Sequence, residues 1–400
     1  MTYKIFMENA YSKETDARIV GKEFKNNMWH IQLDRTIFYP DLLGGQPRDF
    51  GTINGEEVHG VYEEDKNIYH IIEKNINTRD VKLMINWDHR FDMMQQHSGQ
   101  HLLSSCFKKL LNTETIGFHL GLDSSTIDLN LKTFSLEESH RVEALANKII
   151  QANFPIKSYF LSLEEALNLG FEDLPSYEDN IRILEIENID SNPCGGTHVN
   201  STGEIGMVKI IKWALVRKHI RIEFLCGNRA LEDYSKKTLY LNELNQILSS
   251  KDRDITYKVQ ALYYRKEELE KENRILRDEV NKYKAETILK GSKTINGVSF
   301  IIKTFKNIDL KEVNSIAGYL NRNSKLIQIY GLSNNNSGQF LLSKSIDLDI
   351  DLKDVFSIVK GELNLKGGGS SQTIQGGTDK SKLELTINRF YEMIKSYYSR

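Results

Sequence analysis

Two short segments hold the residue types with the most chemistry to offer. Gln95-Gln96-His97-Ser98-Gly99-Gln100-His101-Leu102-Leu103 places two imidazoles four residues apart, and Asn192-Pro193-Cys194-Gly195-Gly196-Thr197-His198-Val199 adds a thiol and a third imidazole. One thiolate with three imidazoles is a soft N/S donor set that suits zinc. Residues four apart on a helix project from one face, so His97 and His101 can reach the same ion. Cys194 and His198 must converge from a turn, where the paired glycines let the backbone fold tightly enough to aim both inward. With ten histidines in the chain, an isolated His-x3-His pair arises by chance, and a single buried Cys194 is more often a small core residue. The conjunction of two ligand pairs, one hinged by glycine, points instead to a zinc site assembled from distant segments.

The elements that must position these groups follow from periodicity. Across residues 1–85, short apolar runs at 17–20, 28–33, 36–39, 52–53, 58–62, 68–72 and 81–85 alternate with Gly, Asn and Asp turns, which predicts a small antiparallel β-barrel. From Trp87 the spacing becomes helical through Met93, Met94, His97, His101, Leu102 and residues 107–111. Strands at 126–130, 156–161, 181–186 and on both sides of the Cys-x3-His turn, with a helix over 136–153, complete an α+β zinc-containing domain over 86–230. Residues 231–290 are charge-rich, and Ile255, Leu262, Leu269, Leu276 and Tyr283 recur every seven positions beside Val259, Lys266, Asn273 and Val280. That heptad predicts a coiled coil, and the break at Ser249-Ser250-Lys251-Asp252 favours an antiparallel helical hairpin over one rod. A single solvated helix packed on a domain is the alternative.

Residues 291–400 begin a fresh α/β pattern, with strands near 298–303 and 326–330 and helices near 310–322, 353–359 and 383–399. Between the last two helices lies Lys366-Gly367-Gly368-Gly369-Ser370-Ser371-Gln372-Thr373-Ile374-Gln375-Gly376-Gly377. It is not a Walker loop, because no Gly-Lys-Ser/Thr follows the glycines. It reads equally as backbone N–H groups offered to phosphate or a nucleotide and as a mobile linker. The fold class expected for the chain is α+β in four parts: a small antiparallel β-barrel, an α+β zinc-containing domain, a helical hairpin or coiled coil, and a glycine-rich α/β C-terminal domain.

Four hundred residues at 40% apolar content can bury more than one core. No apolar run is long enough to span a bilayer and no signal pattern opens the chain, so a cytoplasmic location without a membrane partner is expected. Three cysteines, Cys106, Cys194 and Cys226, are too few and too uneven for a disulfide framework. The net charge of −2 exerts no global pull on nucleic acid, but residues 291–400 carry +5 and leave −7 for the remainder. Within that remainder Lys209, Lys212, Arg217, Lys218 and Arg221 form a basic cluster. With Lys366 they are the candidate nucleic-acid contacts, the alternative for the cluster being a solvated strand face.

The motifs, taken in order, resemble a known family. They are Arg35-Thr36-Ile37-Phe38-Tyr39-Pro40 followed by Gly44-Gly45-Gln46-Pro47-Arg48-Asp49 and Gly51; His97-x3-His101; Gly117-Phe118-His119-Leu120-Gly121 with Thr126-Ile127-Asp128-Leu129; and Cys194-Gly-Gly-Thr-His198 with Thr202-Gly203-Glu204-Ile205-Gly206. This series resembles the editing half of alanyl-tRNA synthetase and, more closely, the freestanding AlaX-type alanyl-tRNA editing proteins. The glycine-rich segment resembles the synthetase's terminal domain, so nearly the whole chain looks like the long AlaX form. The resemblance implies a zinc-containing trans-editing hydrolase that deacylates Ser-tRNA(Ala), and Gly-tRNA(Ala) as a second substrate, while sparing Ala-tRNA(Ala). Since the chain opens on the barrel motif, no aminoacylation is expected of it.

The resemblance also carries site roles. Thr36 matches the family's serine-sensing threonine, which can hydrogen-bond a seryl hydroxyl that alanine lacks; the bland reading is a β-branched strand residue. Gln46 and His119 are further pocket candidates, and His119 is equally a packed structural histidine. His97, His101, Cys194 and His198 form the ligand pool, and the general base is unassigned. Four protein ligands would close a tetrahedron that hydrolysis needs open. A zinc-stabilised RNA-binding adaptor without hydrolytic activity is therefore the contrasting class, and editing of another mischarged tRNA a variant of the first. A metalloprotease fits less well, because Ser98 stands where His-Glu-x-x-His needs Glu. The heptad stripe and the resemblance together suggest a homodimer, the alternative being a hairpin within one chain that uses the same leucines.

Overall fold

Period-2 burial of Val, Ile and Leu closes six strands into a ring. In order around it they are Glu14–Lys25, Met28–Leu33, Asn67–Ile72, Glu56–Glu64, Gly51–Ile53 and Asp80–Ile85, all neighbours antiparallel. Ile31, Leu33, Ile53, Ile68, Ile72 and Leu83 fill its interior, where β-branched and γ-branched side chains pack across the pleat. The computed structural model describes residues 1–41, 45–171, 174, 180–334 and 337–399; Gly44 of the barrel motif lies outside them. The chain is a mixed α+β protein that divides into two units, Met1–Leu244 and Asn245–Arg400.

Residues 36–39, expected as one barrel strand, behave otherwise. Only Arg35–Thr36 is strand, and it pairs in parallel with Tyr3–Lys4, outside the ring. Side-chain acceptors take the N–H groups that a ladder would have used. Phe38 N–H donates to Thr36 Oγ1 at 3.1 Å and Tyr39 N–H to the Asp49 carboxylate at 2.6 Å.

The helix Trp87–Leu111 leaves the barrel through an Asn86 cap that accepts the His89 N–H at 3.1 Å. Arg90, fully buried, fixes its start: the guanidinium donates to the Asp49 carboxylate, to the Ile37 carbonyl at 2.6 Å and to the Ala10 carbonyl at 2.8 Å. Gln95 and Gln96 fix the next turn. Gln96 exchanges two bonds with the Cys226 backbone, at 2.9 and 3.0 Å, and Gln95 donates to the Glu204 carbonyl at 2.9 Å. Around this helix stand an antiparallel sheet in the order Val208–Val216, His219–Cys226, Ser125–Leu129, Thr115–Leu120 and a second sheet of Ile156–Ser162, Asn180–Ile186 and Asp190–Pro193. The helix Leu136–Ala152, started by a Ser135/Glu138 capping box, closes their shared core with Val142, Ala146 and Ile150. The helix Gly227–Leu248 follows the last strand.

In the second unit the helix Ile255–Leu289 leads into a six-stranded sheet ordered Lys293–Ile295, Val298–Lys306, Leu326–Ser333, Gly338–Lys344, Thr373–Thr378, Lys366–Gly369. Alternate residues bury on opposite faces. Phe300, Ile327, Ile329 and Leu342 pack under the helices Leu352–Leu363 and Leu383–Tyr398, while Ile301, Tyr330, Leu332 and Leu341 pack under Leu310–Leu320. The heptad residues Leu262, Leu269, Leu276 and Tyr283 are exposed. The glycine-rich segment is neither a linker nor an open loop: its two halves form an antiparallel hairpin at the sheet edge. A Cβ at Gly367, Gly369 or Gly376 would collide with the backbone of the facing strand. Here glycine serves close strand approach rather than mobility.

Candidate metal centre

The helix and the Cys194–His198 turn bring four donors together: atoms of His97, His101, Cys194 and His198 all lie within 4.8 Å of one another. Cys194 Sγ is 3.5 Å from His97 Nε2 and 3.2 Å from His198 Nε2. The ring centroids of His97 and His198 are 4.3 Å apart, and His101 lies 5.2 Å from each. Three of the four residues are buried and Cys194 is half-buried.

Each imidazole has an oxygen at its Nδ1. Gln46 Oε1 lies 3.2 Å from that atom of His97, Ser98 Oγ 3.3 Å from that of His198, and the Asp190 carboxylate 3.8 Å from that of His101. Gln46 Oε1 can only accept, so His97 carries its proton on Nδ1 and leaves its Nε2 lone pair for the centre. His101 Nε2 is buried and has no partner among the described residues. The donor set and this orphaned nitrogen both fit a metal ion.

Charge tells the same story. Burial would push the Cys194 thiol up, but His97, His198 and His101 around it outweigh burial and hold it well below its ordinary value. Burial opposes charge on His101 too, yet the Cys194 thiolate and Asp190 raise it to about 9, whereas burial lowers His198 to about 3 against the pull of Cys194. The pocket thus favours one thiolate balanced by one positive charge, the role a bound cation takes over from a proton.

The turn is held from behind. Arg182, buried on the Asn180–Ile186 strand, donates to the Cys194 carbonyl at 2.9 Å, the Gly196 carbonyl at 2.7 Å and the Met7 carbonyl at 3.0 Å. A Cβ on Gly196 would overlap the His97 ring, so only glycine lets this backbone pass. Gln46 closes the other side, donating to Thr197 Oγ1 at 2.8 Å while accepting the Thr197 N–H at 3.0 Å. One barrel residue therefore binds both the metal-site turn and a ligand histidine.

The remaining candidates are not among the four donors. Thr36 is buried in the barrel unit and bonded to His70 Nε2 at 2.8 Å; His70 Nδ1 lies 3.2 Å from the Ile31 carbonyl. A carbonyl only accepts, and burial lowers His70 to about 4. The neutral ring therefore carries its proton on Nδ1, and Thr36 donates to Nε2. His119 is exposed on the edge strand Thr115–Leu120. Lys209, Lys212 and Arg221 pair with Glu143 at 2.8 Å, Glu223 at 3.0 Å and Asp128 at 2.7 Å. Arg217 and Lys218 are exposed at the turn between the two strands, and Lys366 is exposed on the sheet's edge strand. Sequence reasoning missed Ser98, Asp190 and Arg182 as supporting residues. Ser98 was within reach of it, since it lies inside the first motif; a lone Asp and a lone Arg give no signal.

A fold built around a buried N/S donor cluster bridged to a β-barrel defines a metal-site class of α+β protein, and comparison with known chains narrows it. Residues 181–223 match the family model described as the threonyl and alanyl tRNA synthetase second additional domain. The alanyl-tRNA editing protein AlaX-L of Pyrococcus horikoshii is 31% identical over 407 residues, which span 96% of this chain and 96% of that one. This chain belongs to the AlaX-type alanyl-tRNA editing proteins. The alanine–tRNA ligase of Methanobrevibacter smithii is 29% identical over 399 residues, 94% of this chain but only 44% of the ligase. The crystal structure of the C-Ala domain of Aquifex aeolicus alanyl-tRNA synthetase aligns over 27% of this chain and 98% of its own, at 19% identity and a TM-score of 0.24.

Proposed function

We propose that this protein is a zinc-dependent trans-editing hydrolase that deacylates Ser-tRNA(Ala), and Gly-tRNA(Ala) as a second substrate, while sparing Ala-tRNA(Ala). The observation that carries the reading is the convergence of the imidazoles of His97, His101 and His198 on the Cys194 thiol, each with an oxygen near its Nδ1. Zinc is the fitting ion because this donor set is soft and borderline. When bound, zinc supplies Lewis acidity at the ester and a positive charge that stabilises the Cys194 thiolate. The chain's own residues do the rest. Gln46 and Thr197 keep the Cys194–His198 turn against the barrel segment, Gln46 holds the Nδ1 proton of His97 outward, and Ser98 and Asp190 flank the rings of His198 and His101. Thr36, whose proton is committed to His70, offers its oxygen as an acceptor to a seryl hydroxyl and offers nothing to alanine.

The four-donor set also favours a second reading, a zinc-stabilised RNA-binding adaptor, because four protein ligands complete a structural tetrahedron. Incubation of the protein with Ser-, Gly- and Ala-charged tRNA(Ala) separates the two. Release of serine and glycine but not alanine, lost on chelation, supports the hydrolase. Tight tRNA binding with all three esters intact supports the adaptor. We place the protein in the cytoplasm, where its tRNA substrates are; among the described residues no helix is long and apolar enough to cross a membrane.

A further inference from the structure

The helix Trp87–Leu111 carries two of the four donors, so its rotation about its own axis decides whether they meet the other two. A ring nitrogen about 6 Å from a helix axis moves by about 1 Å when the helix turns by about 10°. Metal–ligand distances tolerate only about 0.2 Å. The register of this helix therefore has to be fixed by groups other than the ligands.

Residues 226–229, where the strand His219–Cys226 runs into the helix Gly227–Leu248, do the fixing. Asp92 receives two edges of the Arg229 guanidinium, Nε at 2.8 Å on Oδ1 and Nη2 at 2.6 Å on Oδ2. Gln96, the neighbour of His97 in the chain, donates to Asp92 Oδ1 at 3.1 Å while its amide holds the Cys226 backbone. At Gly99 the helix passes so close that a Cβ would overlap Cys226 Sγ. The third nitrogen of Arg229, Nη1, donates to the Gly121 carbonyl at 2.8 Å. Gly121 directly follows the strand Thr115–Leu120, whose Phe118 ring lies 5.7 Å from that of His97. One guanidinium thus spans the metal helix and the end of the strand that carries the neighbouring aromatic ring. The Arg229 and Asp92 side chains are only 11% and 21% exposed, and the planar fork makes paired bonds that an ammonium group cannot reproduce.

We propose that Arg229 is a positioning residue for the metal centre: by clamping Asp92 it sets the rotation of the helix that aims His97 and His101 at Cys194 and His198. It touches neither the ion nor the ester. The inference rests on the metal-centre reading and is independent of which ester is hydrolysed. An ion pair that served stability alone would leave the arrangement of the ligands unchanged.

The test uses the full-length protein with cobalt(II) in place of zinc, because the visible bands of cobalt report the number and arrangement of its ligands. Arg229→Met keeps an unbranched stem and removes the fork. It should shift and weaken those bands and lower cobalt affinity by about 10–100-fold, the range for groups that support metal ligands. It should also reduce kcat for Ser-tRNA(Ala) more than it raises KM. Arg229→Lys should restore part of each property, and it carries the same reading where Arg229→Met does not fold. Val142→Ala, a core truncation in the helix Leu136–Ala152, supplies a loss of stability without touching the clamp and should leave the cobalt spectrum as it is in the parent. A parental spectrum and cobalt affinity in Arg229→Met, with only a lower Tm, overturn the proposal and leave the metal centre and the deacylase standing. A spectral change in Val142→Ala as large as that in Arg229→Met overturns it as well. A parent protein that binds cobalt but hydrolyses no ester, with bands that depend on Arg229, supports the positioning role and removes the deacylase. A parent that binds no cobalt removes the metal centre and this role together.

Discussion

The two units bury polar side chains to different ends. In Met1–Leu244 buried polar residues converge: His97, His101 and His198 turn toward Cys194, with Gln46, Ser98 and Asp190 behind them. In Asn245–Arg400 the buried polar groups mostly satisfy one another, the Tyr398 hydroxyl alone being left without a partner among the described residues. Gln328 accepts the Tyr330 hydroxyl at 2.8 Å and donates to Asn321 at 2.6 Å, and Lys344 donates to the Leu348 carbonyl at 2.5 Å. The bonded groups of the second pattern lie within a sheet and stabilise it. The first leaves His101 Nε2, Gln100 Oε1 and Thr113 Oγ1 without partners, and that open demand marks a place for something the chain does not itself supply.

The largest expected effect tests that contrast directly. Cys194→Ala with His198→Ala should bring metal content close to zero and lower the stability of the first unit by several kcal/mol, because binding energy there is also folding energy. Calorimetry should show the transition of the second unit unmoved. If both units lose stability together, or if zinc is retained, the division drawn here fails.

A pH dependence comes next, of order 3 kcal/mol. His70 is held near 4 by burial, against about 6.5 in an unfolded chain. Below pH 6.5 the unfolded chain takes up a proton that the folded barrel refuses. Stability should therefore fall as pH drops from about 6.5 to 4, by roughly 1.4 kcal/mol per unit, and level off below. Urea unfolding of the metal-saturated protein and of His70→Gln isolates this contribution. Parallel curves for the two would show that His70 titrates freely.

Thr36→Val should follow, reducing kcat/KM for Ser-tRNA(Ala) by about 1–3 kcal/mol and sparing the glycyl substrate. Equal loss on both would mark Thr36 as a packing residue that serves His70 alone. Unchanged rates on both would remove it from substrate recognition.

How much of this was legible beforehand depended on how many signals each feature gave. The four donors were, because two spaced pairs reinforce each other. Asp190 and Arg182 were not, since a single carboxylate or guanidinium acquires its role only when the strand places it behind a ligand. The stretch after Thr36 reads as strand by composition, and it loses that state because Asp49 and the Thr36 hydroxyl compete for its N–H groups. The glycine run is ambiguous in sequence for a physical reason: missing side chains permit both loose loops and close strand contact, and only the facing backbone at Gly367 and Gly369 decides. The heptad on Ile255–Leu289 gave a regular stripe, yet its leucines are exposed; periodicity reports an apolar face without reporting what covers it.

The smallest expected effect concerns the second unit's part in binding. Its +5 charge over residues 291–400 and the exposed Lys366 at the start of the glycine hairpin suit contact with the phosphates of the tRNA body. A lysine that meets one phosphate contributes sequence-independent affinity and about one unit of salt slope. Lys366→Ala should therefore weaken tRNA binding by less than about 1 kcal/mol and reduce the slope of log K against log salt by roughly one. The variant should hydrolyse a minimal aminoacyl-nucleoside ester as fast as the parent, because that substrate ends before the tRNA body. A chain ending at Leu244 should show the same separation in larger measure, keeping zinc while losing tRNA affinity. If Lys366→Ala slows hydrolysis of the minimal ester, the glycine hairpin acts at the chemistry itself. The contrast between a converging first unit and a self-satisfied second would then have to be redrawn.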